Sequence, residues 1–109
     1  MADVLGAFEQ AVLLSVIRLG DDAYGRAILN EVQTRLDREV AAGAVHATLE
    51  RLEKKRLLTT RLESGTPVRA GRVRRYYRVQ PVGIRALNEA RAAAETLWRG
   101  LSWPLSGRA

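Results

Sequence analysis

The stretch GAVHATLERLEKK, residues 43–55, decides how this chain is read. Wound at roughly 100° per residue, it places Val45, Leu49 and Leu52 within an arc of about 60°, the buried side of a helix. Ala44, Ala47, Arg51, Lys54 and Lys55 share a different arc of about 100°, and Glu50 and Glu53 lie outside it. Small residues near the start of a helix with cations further along let it approach a polyanion closely and hold it by its phosphates. The plainer reading is a solvated face carrying an ordinary Glu50–Lys54 pair.

The segment immediately after that helix weighs on the choice. LLTTRLE (57–63) and VRRYYRV (73–79) alternate as strands and are joined by a loop containing Gly65, Pro67 and Gly71, which predicts a hairpin with a long tip. Between Leu57 and Gln80 stand six arginines, 61, 69, 72, 74, 75 and 78, against one acid, Glu63, so this stretch carries +5 of the chain's net +6. Alternation puts Val73, Tyr77 and Val79 on the core side and turns Arg74, Tyr76 and Arg78 outward. Arg75 falls with the buried set, and its guanidinium is expected to reach DNA or an acid. Arg69 and Arg72 sit in the loop, either simply solvated or at a wing tip where a minor groove's negative potential attracts arginine.

Upstream, residues 5–19 place Leu5, Phe8, Val12, Val16 and Leu19 on one helical stripe and Leu13, Leu14 and Ile17 on a second apolar side. A helix apolar on two sides needs two covers, the core and a partner subunit. Gly20 stops it, and Asp21 and Asp22 are expected to cap the next helix. That helix, within AYGRAILNEVQTRLD, buries Ile28, Leu29, Val32 and Leu36, and Tyr24 at its start is either a core residue or a phosphate contact through its hydroxyl. A short link, REVAAG (38–43), leads into the third helix.

Downstream, Pro81 marks the start of a last helix. Its stripe of Leu87, Ala90, Ala94, Leu97, Trp98 and Leu101 is long enough to call for a partner. Three segments result: a DNA-binding unit over 1–80, a dimerisation helix over 81–101 and a frayed tail over 102–109.

Composition removes several function classes. No cysteine means no disulfide, thiolate catalysis or cysteine-type zinc site, and the lone His46 cannot form a histidine cluster, so no metal is expected. Without a Gly-rich phosphate loop or a carboxylate pair at a recognisable spacing, neither an enzyme nor a cofactor is expected. The start MADVLGAFEQ lacks a basic n-region and AVLLSVI (11–17) is too short to span a membrane, which points to a cytoplasmic, nucleoid-associated protein.

Three helices, a basic hairpin and a further helix form a mainly α chain with a small β-hairpin, the order of a winged helix-turn-helix domain with a C-terminal dimerisation helix. In such a domain the third helix enters the major groove and the hairpin, or wing, touches backbone or minor groove. The segments AYGRAIL (23–29), AAGAVHATLERLEKKRLL (41–58) and RYYRVQPVGIRAL (75–87) resemble the PadR family of bacterial transcriptional regulators over roughly residues 5–99, in a compact form with one C-terminal helix. That resemblance implies a homodimeric repressor whose first and last helices build the interface, here Leu5, Phe8 and Val12 with Leu87, Ala90, Ala94, Leu97, Trp98 and Leu101. It also implies release from DNA by a small aromatic or drug-like effector near that interface, at Phe8, Val12 and Trp98. Two positions depart from the pattern: His46 stands where the family has a tyrosine, and Arg56 where a glycine ends the third helix. A non-glycine residue in the left-handed conformation expected there costs on the order of 1 kcal/mol.

The expected partner is double-stranded DNA. The candidate contacts are Tyr24, Ala44, His46, Ala47, Thr48, Arg51, Lys54 and Lys55 from the helices, and Arg69, Arg72, Arg74, Arg75 and Tyr76 from the hairpin. Thr48 reads two ways, as a bond to a base edge or phosphate, or as a bond back to its own helix. The rival functions are a non-specific nucleic-acid binder and a ligand- or protein-interaction module on the same scaffold.

Overall fold

The computed structural model describes residues 4–65 and 69–107, so Pro67 of the hairpin tip lies outside the described residues. Its elements are α1 (Ala7–Leu19), a 3-10 turn (Gly20–Asp22), α2 (Gly25–Leu36), α3 (Ala42–Lys54), β1 (Leu58–Glu63), β2 (Arg74–Val79) and α4 (Pro81–Trp98). The three helices and the hairpin arrive in the order that the sequence predicts, and the molecule is drawn out to 59 Å along its longest axis.

The core forms where the stripes of the first three helices meet the base of the hairpin. Val12, Leu13 and Val16 of α1, Ile28 and Val32 of α2, and Val45, Leu49 and Leu52 of α3 are buried together with Leu57, Leu58 and Tyr77. Gly20 ends α1 at φ 58°, in a region glycine enters without strain. Asp21 and Asp22 do not cap α2 as expected. They are taken up by the 3-10 turn, and α2 starts after Tyr24 with no side-chain cap.

β1 and β2 pair antiparallel, with Leu58 opposite Val79 and Glu63 opposite Arg74. The other edge of β2 is also occupied: Tyr24 bridges to Tyr76, and the Tyr77 N–H donates to the Ala23 carbonyl at 2.8 Å. This third strand-like segment corrects the sequence expectation for the tyrosine pair. Tyr76 does turn away from Tyr77, but its face is covered, and only 8% of Tyr76 is exposed, the same as Tyr77. Val73, expected in the core, precedes the first paired residue of β2 and is 61% exposed.

α4 is fixed to the body at its N-terminal end. The Gln80 N–H donates to the Leu57 carbonyl at 2.8 Å, and Gly83 passes so close that a Cβ there would lie 2.6 Å from the Leu57 oxygen and 2.7 Å from Val79 Cγ1. Only glycine admits that approach. Ala90 is the last buried residue of α4, and from Arg91 onward the helix is exposed except for half-buried Ala93. The helix ends at Trp98, three residues before the expected Leu101, with a bend over Trp103–Pro104 beyond it.

Candidate nucleic-acid interface

The arc that the sequence assigns to a polyanion is free of the core. Ala44, His46, Ala47, Arg51, Lys54 and Lys55 are all exposed on α3, while Val45, Leu49 and Leu52 are buried. Thr48 is the exception. It is 3% exposed and its hydroxyl accepts from Arg51 Nη2 at 3.4 Å, so it packs inside the domain rather than facing a groove. At roughly 100° per residue it lies only about 40° from Leu52, at the border of the apolar arc, where the core still covers it.

Two of the cations on this arc already have a partner. Glu9 of α1 lies 3.6 Å from Arg51 and 3.5 Å from Lys55, and also accepts the Gly6 N–H at 3.1 Å. Burial pushes the Glu9 carboxyl up, but the Gly6 hydrogen bond and the two cations together outweigh it and hold the group below its ordinary value. His46 Nε2 sits 2.8 Å from Glu50 Oε1, so Glu50 is engaged by the histidine one turn back rather than by Lys54. Among the described residues no ion pair includes Lys54.

The hairpin meets α2 through an alternation of cations and rings. The Arg74 guanidinium lies over Tyr24, Tyr24 packs edge-on to Tyr76 with centroids 5.7 Å apart, and Arg61 lies 4.5 Å above the Tyr76 ring. Hydrogen bonding with Tyr76 raises the Arg74 pKa, the largest of its causes, so its charge is secure. Tyr76 is therefore a joint between wing and body, which replaces its expected role as an outward contact. Tyr24 stays half-buried at the same joint. Arg75, the residue that alternation leaves among the buried set, is exposed, and its Nη1 donates to Thr60 on the neighbouring strand at 3.4 Å. In the loop, Arg69 Nε donates to the Arg72 carbonyl at 3.2 Å and Arg72 Nε to the Arg69 carbonyl at 3.1 Å, and Arg69 also donates to the Ser64 carbonyl.

Between the N-termini of α2 and α3 and strand β2 lies a cleft of about 410 Å³. It gathers Tyr24, His46, Arg74 and Arg75 from the predicted contacts and adds Arg26, which the sequence reading missed. The sequence signal for Arg26 was its place in the first turn of α2, two residues after Tyr24, where a cation faces whatever anion that helix end attracts.

The proposed dimer residues divide. Leu5, Val12 and Ala90 are buried within this chain's own core, so they are not available to a partner, and Val12, at 0% exposed, cannot line an effector site either. Phe8 and Leu87 are half-buried, while Ala94, Leu97, Trp98 and Leu101 stand exposed. The exposed apolar side of α1 is the second one, Leu14 and Ile17, and Val82 and Ile84 of α4 are exposed as well. No helix among the described residues is long and apolar enough to cross a membrane.

Comparison with known proteins agrees with this architecture. No curated protein matches the chain in sequence. Among solved structures, a PadR family transcriptional regulator from Eggerthella lenta is 28% identical, with a TM-score of 0.65 over 82% of this chain and 75% of that one. A PadR-like transcription factor from Bacteroides fragilis is 24% identical, with a TM-score of 0.66 over 82% of this chain and 81% of its own. The Bordetella bronchiseptica protein BpsR, whose DNA binding is regulated by 6-hydroxynicotinic acid, shares the fold at 19% identity and a TM-score of 0.57, over 91% of this chain and 65% of that one. The family model for PadR-like transcriptional regulators matches residues 13–89, from the core of α1 through the wing and into α4. Its members are regulators that act on DNA and not enzymes, and this chain, with an exposed cationic arc on α3 and a basic wing on one scaffold, belongs to the PadR-like family of transcriptional regulators.

Proposed function

We propose that this regulator is a homodimeric, sequence-specific repressor that reads a major groove with α3 and anchors backbone or minor groove with its wing. The observation that carries this reading is the exposed arc of Ala44, Ala47, Arg51, Lys54 and Lys55 standing beside a wing that holds most of the chain's net charge. Ala44 and Ala47 let the helix sit close to base edges, His46 donates to a phosphate near the helix start, and Arg51, Lys54 and Lys55 hold the backbone. Arg69 and Arg72 serve the wing tip, Arg74 and Arg75 its stem, and the Tyr24 hydroxyl meets a phosphate beside Arg74. Dimerisation through the exposed part of α4 with Leu14 and Ile17 gives residues 81–101 their role and covers Leu97, Trp98 and Leu101. A small aromatic effector relieves repression; what supports this is the fold shared with BpsR, whose DNA binding is regulated by 6-hydroxynicotinic acid. The protein acts in the cytoplasm, where the nucleoid lies.

The test is selection of bound fragments from a random DNA pool, followed by gel-shift titration of the selected site and a scrambled one. A preference of at least about a thousandfold for the selected site is expected, with losses in Arg51→Ala and Arg72→Ala. Equal affinity for both sequences would favour the second reading, a non-specific nucleic-acid binder held by the charge of the wing alone.

A further inference from the structure

We propose that Glu50 is a specificity-determining residue of α3: its carboxylate accepts from the N4 amino group of a cytosine in the major groove, and His46 positions it to do so. The inference rests on the reading that α3 enters that groove, and adds to it one residue and one base. Gly43, Ala47, Glu50 and Lys54 recur at intervals of four, three and four residues, which sets them on one face of the helix. At roughly 100° per residue they lie within about 30° of the line opposite the buried residues of α3. All of them are exposed. In a groove this line meets the floor, where the base edges are, while Arg51 and Lys55 on its flank meet phosphate.

An acid on that line needs a partner. The phosphates on either side of a major groove repel it, and at a wrong sequence nothing offsets the repulsion. Among the base edges only amino groups offer a carboxylate a hydrogen, cytosine N4 and adenine N6. Adenine sets its N7 lone pair beside N6, against the second carboxylate oxygen, whereas cytosine has no acceptor beside N4 on its own edge. Cytosine is therefore the matching base, and repulsion elsewhere sharpens the choice. The neighbours of Glu50 bring it within reach: Gly43 has open space where a Cβ would stand and Ala47 carries a single methyl group, so the helix can lie close to the bases. His46 Nε2 lies 2.8 Å from Glu50 Oε1, with the two side chains 67% and 57% exposed. A pair so exposed adds little to stability. It orients the carboxylate instead, engaging one oxygen and leaving Oε2 to the base and His46 Nδ1 to a phosphate.

The test repeats the selection from a random DNA pool with the full chain and with Glu50→Ala, Glu50→Gln, His46→Ala and His46→Gln, each checked for folding by circular dichroism. The parent is expected to select a cytosine at one position of each half-site, and replacing that base weakens binding by about 10- to 100-fold. Glu50→Ala loses the preference at that position alone and binds scrambled DNA more tightly, because a negative charge has left the groove. Glu50→Gln exchanges the cytosine for adenine, since a carboxamide pairs with adenine N6 and N7. His46→Ala keeps cytosine but cuts the discrimination to a few-fold, and His46→Gln, which returns an N–H donor one turn before Glu50, restores it. A histidine that only supported the fold would not move the preference at a single base. A parent that selects an operator while both Glu50 variants select the same one, with the same discrimination, overturns the proposal and leaves the repressor reading standing. Discrimination unmoved in His46→Ala overturns the histidine's part in it. A parent that prefers no sequence over scrambled DNA overturns both the proposal and the reading beneath it.

Discussion

The guanidinium carbon of Arg74 lies 3.8 Å from the centre of the Tyr24 ring, which ties the stem of the wing to the first turn of α2. The same ring presents its neighbour Tyr76 with an edge at an interplanar angle of 64°. A cation over a ring adds about 0.5–1 kcal/mol at a partly exposed site, and an edge-to-face pair about 0.5–1.5 kcal/mol beyond the area it buries. The wing is thus positioned by side chains as well as by its backbone ladder.

Tyr24→Ala removes both contacts and is expected to lower stability by roughly 1–3 kcal/mol, read from urea unfolding. Tyr24→Phe keeps the ring and is expected to unfold within about 0.5 kcal/mol of the parent. A loss of DNA affinity in the phenylalanine variant then reports on the hydroxyl alone; unchanged affinity removes Tyr24 from the phosphate contacts.

Glu9 holds Arg51 and Lys55, two of the cations proposed to meet phosphate. Glu9→Gln is expected to raise DNA affinity at neutral pH and to steepen its salt dependence by up to about two in log–log slope, since each freed cation releases a counterion on binding. The folded-state pKa of Glu9 is depressed, so its stabilisation is present above the unfolded value and is lost as pH falls through the folded one. The gap in stability between parent and Glu9→Gln therefore narrows as pH drops below about 4.5. A gap that stays constant from pH 7 to pH 3 would count against the ion pairs.

Arg56 sits at φ 64° immediately after α3, in the left-handed conformation. Glycine adopts it without the roughly 1–2 kcal/mol that an L side chain costs, offset in part by a more flexible unfolded chain. Arg56→Gly is expected to stabilise by about 0.5–1 kcal/mol, an increase in Tm of a few degrees for a chain of this size. A lower Tm would mean that the arginine's charge at the helix end outweighs the backbone strain.

Leu97, 79% exposed on the outer part of α4, is the position at which to test subunit association. Leu97→Glu is expected to shift the protein from dimer to monomer in sedimentation at micromolar concentration, and to weaken operator binding by the loss of a second linked site. A parent chain that sediments as a monomer under the same conditions would refute the dimer.

Most of the framework was legible because periodicity reports which residues share a face. It does not report what covers that face. Tyr76 turned outward with Arg74 and Arg78 as alternation requires, and was buried all the same, since Tyr24 and Arg61 close over it from segments about 52 and 15 residues away in sequence. The same limit explains Leu5, Val12 and Ala90: their apolar stripes were right, but the cover is this chain's own core. Val73 failed for a different reason, because alternation was extended one residue beyond the point at which the ladder begins. Left-handed Arg56, by contrast, was expected from the family resemblance, which puts a glycine at the end of α3.

Gly83 has a consequence for the DNA that such a dimer selects. With its backbone pressed against Leu57 and Val79, α4 leaves the wing at an angle that no side chain at this position would permit. If two chains associate through α4, that angle fixes how far apart their two α3 helices stand. Half-sites one turn of B-DNA apart are about 34 Å from centre to centre, so the missing Cβ helps to set the length of the palindrome. In such a dimer the operator's spacing would be encoded in part at a residue of α4 rather than of α3 or the wing.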